Sequence, residues 1–161
     1  MQLVTWFVVQ CLLIKQWKSA GLGFRLMGGG GTWDPVLLET AGAAANDPKV
    51  SMTSMPLGEF NPGTAKIAVD FKAKFGTEPG AYAVYEYDAV SILVAAIDKV
   101  QSTDAGALNK ALHEIKYEGL TGPIKFDEKG DRQAFPFIQV GIVDGKFVKL
   151  ATYKDSSWKK E

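Results

Sequence analysis

Hydrophobic positions in this chain change period several times, and the changes mark its elements. Residues 4–9 are a β-rich apolar run that predicts a buried strand, after which Leu12, Leu13, Gln16 and Trp17 recur at helical spacing up to a stop at Gly21. Residues 24–27 read as a short strand, and four glycines at 28–31 as the loop after it. Asp34-Pro35 opens a helix through Val36, Leu37 and Leu38: Asp can accept from free backbone N–H groups, and Pro is tolerated in a first turn. Asn46-Asp47-Pro48 is a turn, and residues 50–55 form another strand. Strand, helix, strand, helix, strand is the repeat of an open α/β sheet whose parallel strands are joined by crossover helices.

Near Pro56 the pattern changes. Asn61-Pro62 starts a helix in which Ile67, Ala68, Phe71 and Phe75 recur every three or four residues until Gly76. A longer helix spans residues 82–100, with Val90, Leu93, Val94 and Ile97 expected on a buried side. Asp104 caps a third helix to about Lys116, with Leu108, Ala111, Leu112 and Ile115 facing inward. Residues 121–126, 135–143 and 146–153 read as strands, the last two joined by a tight Asp144-Gly145 hairpin. Residues 154–161 form a polar tail expected to fray, with Trp158 its one docking candidate.

The length of 161 residues, 47% apolar and 22% charged, belongs to an ordinary globular chain. Eighteen basic residues balance eighteen acidic ones, so the charge surplus of a nucleic-acid footprint or a polybasic membrane patch is missing. One cysteine, Cys11, allows no internal disulfide. The apolar start resembles an export signal, yet no Lys or Arg precedes it and no small-x-small cleavage site follows, so no export signal is expected in this chain. Lys15 also ends the run short of a membrane span.

Candidate chemistry is sparse. The Gly28–Gly31 loop lies between a strand and a helix, where glycines admit close approach of a ligand to the backbone. A dinucleotide fingerprint starting at Gly28 would need glycine where Trp33 stands, and no Gly-Lys-Ser/Thr follows for a phosphate loop. In Asp127-Glu128-Lys129-Gly130-Asp131, Lys129 sits where a calcium loop needs an oxygen, leaving a solvated turn as the reading. Tyr82, Tyr85, Glu86, Tyr87 and Asp88 either line a cleft or serve packing and the helix dipole. His113 reads as a surface histidine, and no nucleophile elbow or metalloprotease helix is present. No metal or cofactor is expected.

The ordered segments Leu13-Ile14-Lys15-Gln16-Trp17-Lys18-Ser19-Ala20-Gly21-Leu22, Met27-Gly28-Gly29, Ala41-Gly42-Ala43-Ala44, Ala81-Tyr82 and Tyr87-Asp88-Ala89-Val90 carry a resemblance. Gly122-Pro123-Ile124, the run Phe126 to Asp131, and Asp144-Gly145-Lys146-Phe147-Val148 extend it. Across residues 11–153 the chain resembles the C-terminal half of the leucine/isoleucine/valine-binding proteins of branched-chain amino-acid ABC transporters, which have the type I periplasmic binding protein fold. The resemblance implies an α/β, three-layer open-sheet architecture made of parts of two lobes with a ligand cleft between them. Residues 1–56 would belong to the second lobe, 57–134 to the first, 135–153 to the second again, and 154–161 to a tail.

The same resemblance implies a non-enzymatic, periplasmic or extracellular membrane-anchored substrate-binding component, which delivers an amino acid or related organic acid or amide to an ABC permease. Tyr82 matches an aromatic that closes over the ligand, Trp6 falls near an aromatic of the second lobe, and Gly29, Gly30 and Gly31 form the second-lobe loop. Gly30 stands where amino-acid binders carry an acid that pairs with the ligand ammonium. A buried ammonium without a partner costs several kcal/mol, so Glu59 or Glu86 would have to substitute, or the ligand lacks an ammonium. The first half of the first lobe, with its ligand-binding Ser and Thr, is expected to be missing, so weak binding by this chain alone and self-association through uncovered strand edges are expected. A Rossmann-like enzyme domain using the glycine loop, and a ligand-sensing domain of a receptor or regulator, are the alternatives.

Overall fold

The computed structural model describes residues 7–57, 61–133, 136–154 and 157–161. Contacts divide the chain into two units, Met1–Pro56 with Pro136–Glu161, and Leu57–Phe135.

Unit 1 begins with helix α1, Phe7–Ser19. The expected strand over residues 4–9 is therefore corrected: Phe7–Val9 form the first turn of a helix, and residues 4–6 lie outside the described residues. Propensity lost here to helical spacing, because Cys11, Ile14 and Trp17 put one apolar stripe against the rest of the unit, each 6% exposed or less. Gly21, at φ 63°, ends the helix in the left-handed conformation, and Trp17 Nε1 donates to the Phe24 carbonyl, 3.1 Å.

Strand β1 (Leu26–Gly29) pairs in parallel with β2 (Val50–Ser54), and α2 (Pro35–Ala41) lies between them in sequence. The Asp34 side chain accepts from Val36 N at 2.8 Å, capping α2 as expected. The remaining pairings are antiparallel: β5 (Phe137–Val143) on β2, β6 (Lys146–Lys154) on β5, and β7 (Ser157–Lys160) on β6, giving the order β1-β2-β5-β6-β7. Asp144 and Gly145, at φ 50° and 70°, make the tight turn expected between β5 and β6. The tail differs from the frayed expectation. Ser157–Lys160 pair as an edge strand, and Trp158 lies over Tyr153 with ring centroids 5.3 Å apart.

The core of unit 1 collects Cys11, Ile14, Trp17, Leu37, Val50, Met52, Ile138, Val140 and Ile142. At its surface Lys18 Nζ lies 2.5 Å from Asp47 Oδ2. That contact, with the Lys49 backbone N–H, holds the Asp47 carboxyl below its ordinary range. Burial pushes the Cys11 thiol above its usual value, so it stays a packed thiol.

Unit 2 consists of α3 (Pro62–Phe75), α4 (Ala83–Val100), α5 (Ala105–Glu114) and a two-stranded ribbon, β3 (Tyr117–Gly119) with β4 (Gly122–Ile124). Asn61 and Asp104 cap α3 and α5, and Gly76 at φ 74° ends α3. The expected buried side of α4 is corrected. Val84, Asp88, Ile92 and Ala96 form the buried stripe, while Val90, Leu93 and Val94 are 62%, 41% and 51% exposed. The cause is that α4 is apolar on more than one face, and its packed neighbours are α3, α5 and β3, with Val84 beside Gly63 of α3 and Asp88 beside Gly119 of β3.

Candidate functional site

In unit 1 the glycine loop continues β1, with Gly28 and Gly29 opposite Met52 and Thr53 of β2. Gly30–Thr32 close a single 3₁₀ turn, held by the buried Thr32 hydroxyl donating to the Gly29 carbonyl at 2.5 Å and by Trp33 N on the Gly30 carbonyl at 3.0 Å. None of the four glycines has a positive φ, so lack of a side chain, and not left-handed freedom, is what the loop uses. A Cβ on Gly28 would stand 2.4 Å from Thr32 Oγ1, which makes that glycine necessary to the turn. A Cβ on Gly29 or Gly31 would meet nothing within 4 Å, so the loop is open there. Gly30 is half-buried.

Two features weigh against a phosphate at this loop. The Asp34 carboxylate occupies the start of α2, where an anion would have to sit. Trp33, which replaces the third glycine of a nucleotide fingerprint, is 8% exposed and packs on Phe147 at 5.9 Å between centroids. Behind the loop, a cavity of about 30 Å³ lined by Gln10, Ile14, Gly28, Thr32 and Met52 has room for a water molecule but not for an amino acid.

In unit 2, Tyr82 stands at the N-cap of α4 with 39% of its surface exposed. Its carbonyl accepts from Tyr85 N and Glu86 N at 2.9 and 3.2 Å, so the backbone of Tyr82 is tied to the first turn of the helix. The tyrosine and acid cluster divides in two. Glu86 and Tyr87 are exposed, whereas Tyr85 turns inward and accepts from Asn61 Nδ2 at 3.0 Å. Burial pushes the Tyr85 phenol up to about 12, which keeps it a neutral hydroxyl.

Asp88, 3% exposed, is the residue whose role the sequence hid. Its carboxylate accepts from Leu120 N and Thr121 N, each at 2.8 Å, and from Thr121 Oγ1 at 2.6 Å. Arg132 completes the arrangement: Nη1 donates to Thr121 Oγ1 at 2.7 Å, and Nη2 to the carbonyls of Thr121 and Pro123 at 3.1 Å and Gly122 at 3.3 Å. Burial holds the Arg132 guanidinium below its ordinary value, opposed by Tyr85 and Asp88. A signal for Asp88 existed. It falls on the four-residue spacing of Val84, Ile92 and Ala96, where an acid must be paired if the stripe is buried.

The acidic run after Phe126 is a self-contained turn. Asp127 Oδ1 accepts from Lys129 N and Asp131 N, both at 2.9 Å, with Gly130 at φ 87°. His113 is half-buried, not a free surface histidine: its Nδ1–H donates to the Asp127 carbonyl at 2.8 Å. No group of three or more His, Cys, Asp or Glu able to hold a metal occurs among the described residues. Trp6 and Glu59 lie outside the described residues. Gly29, Gly30 and Gly31 belong to unit 1, Tyr82 and Glu86 to unit 2.

Comparison with known proteins gives a family. The family described as "Periplasmic binding protein" matches residues 2–146. A leucine-, isoleucine-, valine-, threonine- and alanine-binding protein of Pseudomonas aeruginosa is 32% identical over 127 residues, 78% of this chain and 33% of the relative. The chain thus spans about a third of the length of the curated relatives it matches. Among solved structures, a leucine-binding protein of Thermotoga maritima superposes with TM-score 0.77 at 24% identity, over 96% of this chain and 44% of that one. A solute-binding protein of an ABC transporter of Rhodopseudomonas palustris, in complex with 3,4-dihydroxybenzoic acid, gives 0.65 at 25% identity, over 99% and 46%. With an open-sheet α/β architecture and a match that runs through both units, the chain belongs to the periplasmic binding proteins, as part of a type I fold.

Proposed function

We propose that the protein is the substrate-binding component of an ABC importer, acting outside the cytoplasmic membrane and handing a small organic acid, amino acid or amide to a permease. The observation that carries the reading is the family match over residues 2–146, together with relatives named for amino-acid binding. Within unit 1 the open glycine loop supports this reading, and within unit 2 the exposed Tyr82 ring does. No residue here is assigned a bond-making role. The second-lobe segment is residues 1–56 and 135–153, and the first-lobe segment is residues 57–134.

The glycine loop favours a ligand without an ammonium. Gly30 puts no carboxylate where amino-acid binders have one, and an unpaired buried ammonium would cost several kcal/mol. The R. palustris protein that holds an aromatic acid is a precedent for such a ligand in this fold.

Calorimetry on the longest product of the gene tests the proposal, with leucine, benzoate and 3,4-dihydroxybenzoate as probes. Binding of one of them, weakened at least tenfold by Tyr82→Ala, is the expected result. Gly30→Glu should shift preference toward leucine and away from the two aromatic acids. Binding of a nucleotide with none of the three probes bound would remove the transport reading and favour the enzyme alternative.

A further inference from the structure

The polar groups of unit 2 converge beside the first turns of α4, and Tyr82 stands at the edge of that cluster. The backbone of Tyr82, and with it the point from which the ring projects, follows the turn it caps, because its carbonyl accepts from Tyr85 N and Glu86 N. That turn is tied to the start of α3: Asn61 Nδ2 donates to the Tyr85 hydroxyl while Asn61 Oδ1 accepts from Gly63 N at 2.9 Å. One turn further on, Asp88 grips residues 120 and 121 of the β3–β4 loop through three hydrogen bonds. Arg132 then holds the loop from its other side through the Thr121 hydroxyl and three carbonyls.

Two glycines make the arrangement possible. A Cβ on Gly119 would come within 2.5 Å of the Asp88 carboxylate, and one on Gly63 within 2.3 Å of the Leu120 carbonyl. Both positions are therefore closed to larger residues. Burying a carboxylate and a guanidinium contributes little stability compared with apolar packing of the same volume, but it does fix one geometry. The outward face of α4 offers no such constraint, since Val90 and Val94 are mostly exposed.

We propose that Asp88, Thr121 and Arg132, with the Asn61–Tyr85 pair, are positioning residues for Tyr82. They hold the entry of α4 in one place, so that the backbone from which the ring projects is already set when ligand arrives and less ordering is left to oppose binding. This rests on the reading of Tyr82 as a ligand-contacting aromatic.

The first test needs no ligand. With 3-fluorotyrosine placed at position 82 of this chain, Asp88→Asn and Arg132→Lys should shift and broaden the fluorine NMR line, while hydrogen exchange in the core of α4 stays protected. Thr121→Val, which keeps both backbone bonds to Asp88 and loses only the hydroxyl, should give a smaller shift and decides the matter if Asp88→Asn does not fold. An unchanged line in the folded variants overturns the proposal. The second test is a double-mutant cycle in the longest gene product, with leucine and 3,4-dihydroxybenzoate as probes. Asp88→Asn should raise Kd about tenfold, a coupling of ~1.4 kcal/mol, and should have no further effect once Tyr82 is alanine. The same tenfold loss in the Tyr82→Ala background would show a merely structural role. If neither probe binds the parent protein, the reading of Tyr82 as a contact for these two ligands fails, while the fluorine line still decides the positioning.

Discussion

The two units reach order by different means. Unit 1 buries an apolar core including Leu37, Met52, Val140 and Cys11, and of its buried polar residues Thr32 bonds to local backbone and Asp47 to local backbone and the surface Lys18. Unit 2 has a smaller apolar core of Leu57, Val84, Ile92, Ala96, Ala111 and Ile124, and beside it a carboxylate, a hydroxyl and a guanidinium. Non-directional burial tolerates small shifts, whereas a network of three polar side chains accepts one arrangement. The unit carrying the exposed aromatic of the candidate site is the one held by direction, and the unit carrying the open glycine loop is the one held by area.

Paired core substitutions put the contrast to the test. Asp88→Ala strands the Leu120 and Thr121 N–H groups and removes the Asp88 charge that offsets the buried Arg132 guanidinium, at a cost of about 3–5 kcal/mol. Hydrogen exchange should show protection lost in α3, α4 and α5 and kept in β2 and β5. Leu37→Ala should cost somewhat less, about 3 kcal/mol, and reverse the pattern, because the lost methyl groups and the cavity belong to unit 1 alone. Equal loss in both units from either change would mean that they unfold as one body, and the contrast would go.

Most of unit 1 and the helices of unit 2 were legible from turn chemistry. Asp34-Pro35, Asn61-Pro62, Asp104, Gly76 and Asp144-Gly145 all act where their residue types predict, because each is a local backbone rule. The misreadings arose where tertiary contact decides. Residues 7–9 look like strand by propensity but continue a helix whose buried stripe starts at Gln10 and Cys11. On α4, periodicity admits two apolar faces, and the partners α3, α5 and β3 choose between them. Of the candidate site, the open loop and Tyr82 could be named from sequence. The Asp88–Thr121–Arg132 network could not, since it joins residues up to 44 positions apart, counted from Asp88 to Arg132, and no local spacing encodes such a join.

The units should also respond to opposite ends of the pH scale. The Asp47 carboxyl is lowered in the folded protein, so its stabilisation is present above the ordinary carboxylate pKa of about 3.9 and is lost as pH falls below it. Unit 1 should therefore lose stability on acidification, less steeply in Lys18→Met, as followed by thermal melts between pH 5 and 2. The Tyr85 phenol is raised to about 12, so its contribution is whole below the ordinary tyrosine pKa of about 10 and declines as pH rises from there toward 12. Tyr85→Phe should flatten that alkaline decline in unit 2 and leave the acid limb unchanged.

The smallest expected effect is on the outward face of α4. Val90 is 62% exposed, so in this chain Val90→Ser removes almost no buried surface and replaces a β-branched residue by one of similar helix propensity. Its stability change should stay within about 0.5 kcal/mol by urea titration. In the longest gene product the same substitution measures whether other polypeptide covers this face. A cost of ~1–2 kcal/mol there would mean that the second apolar face of α4 is buried by residues beyond this chain, which would make unit 2 as dependent on burial as unit 1. An unchanged cost would leave the polar network as the main support of the unit that carries Tyr82, and the contrast between the units would hold in the whole protein as it does here.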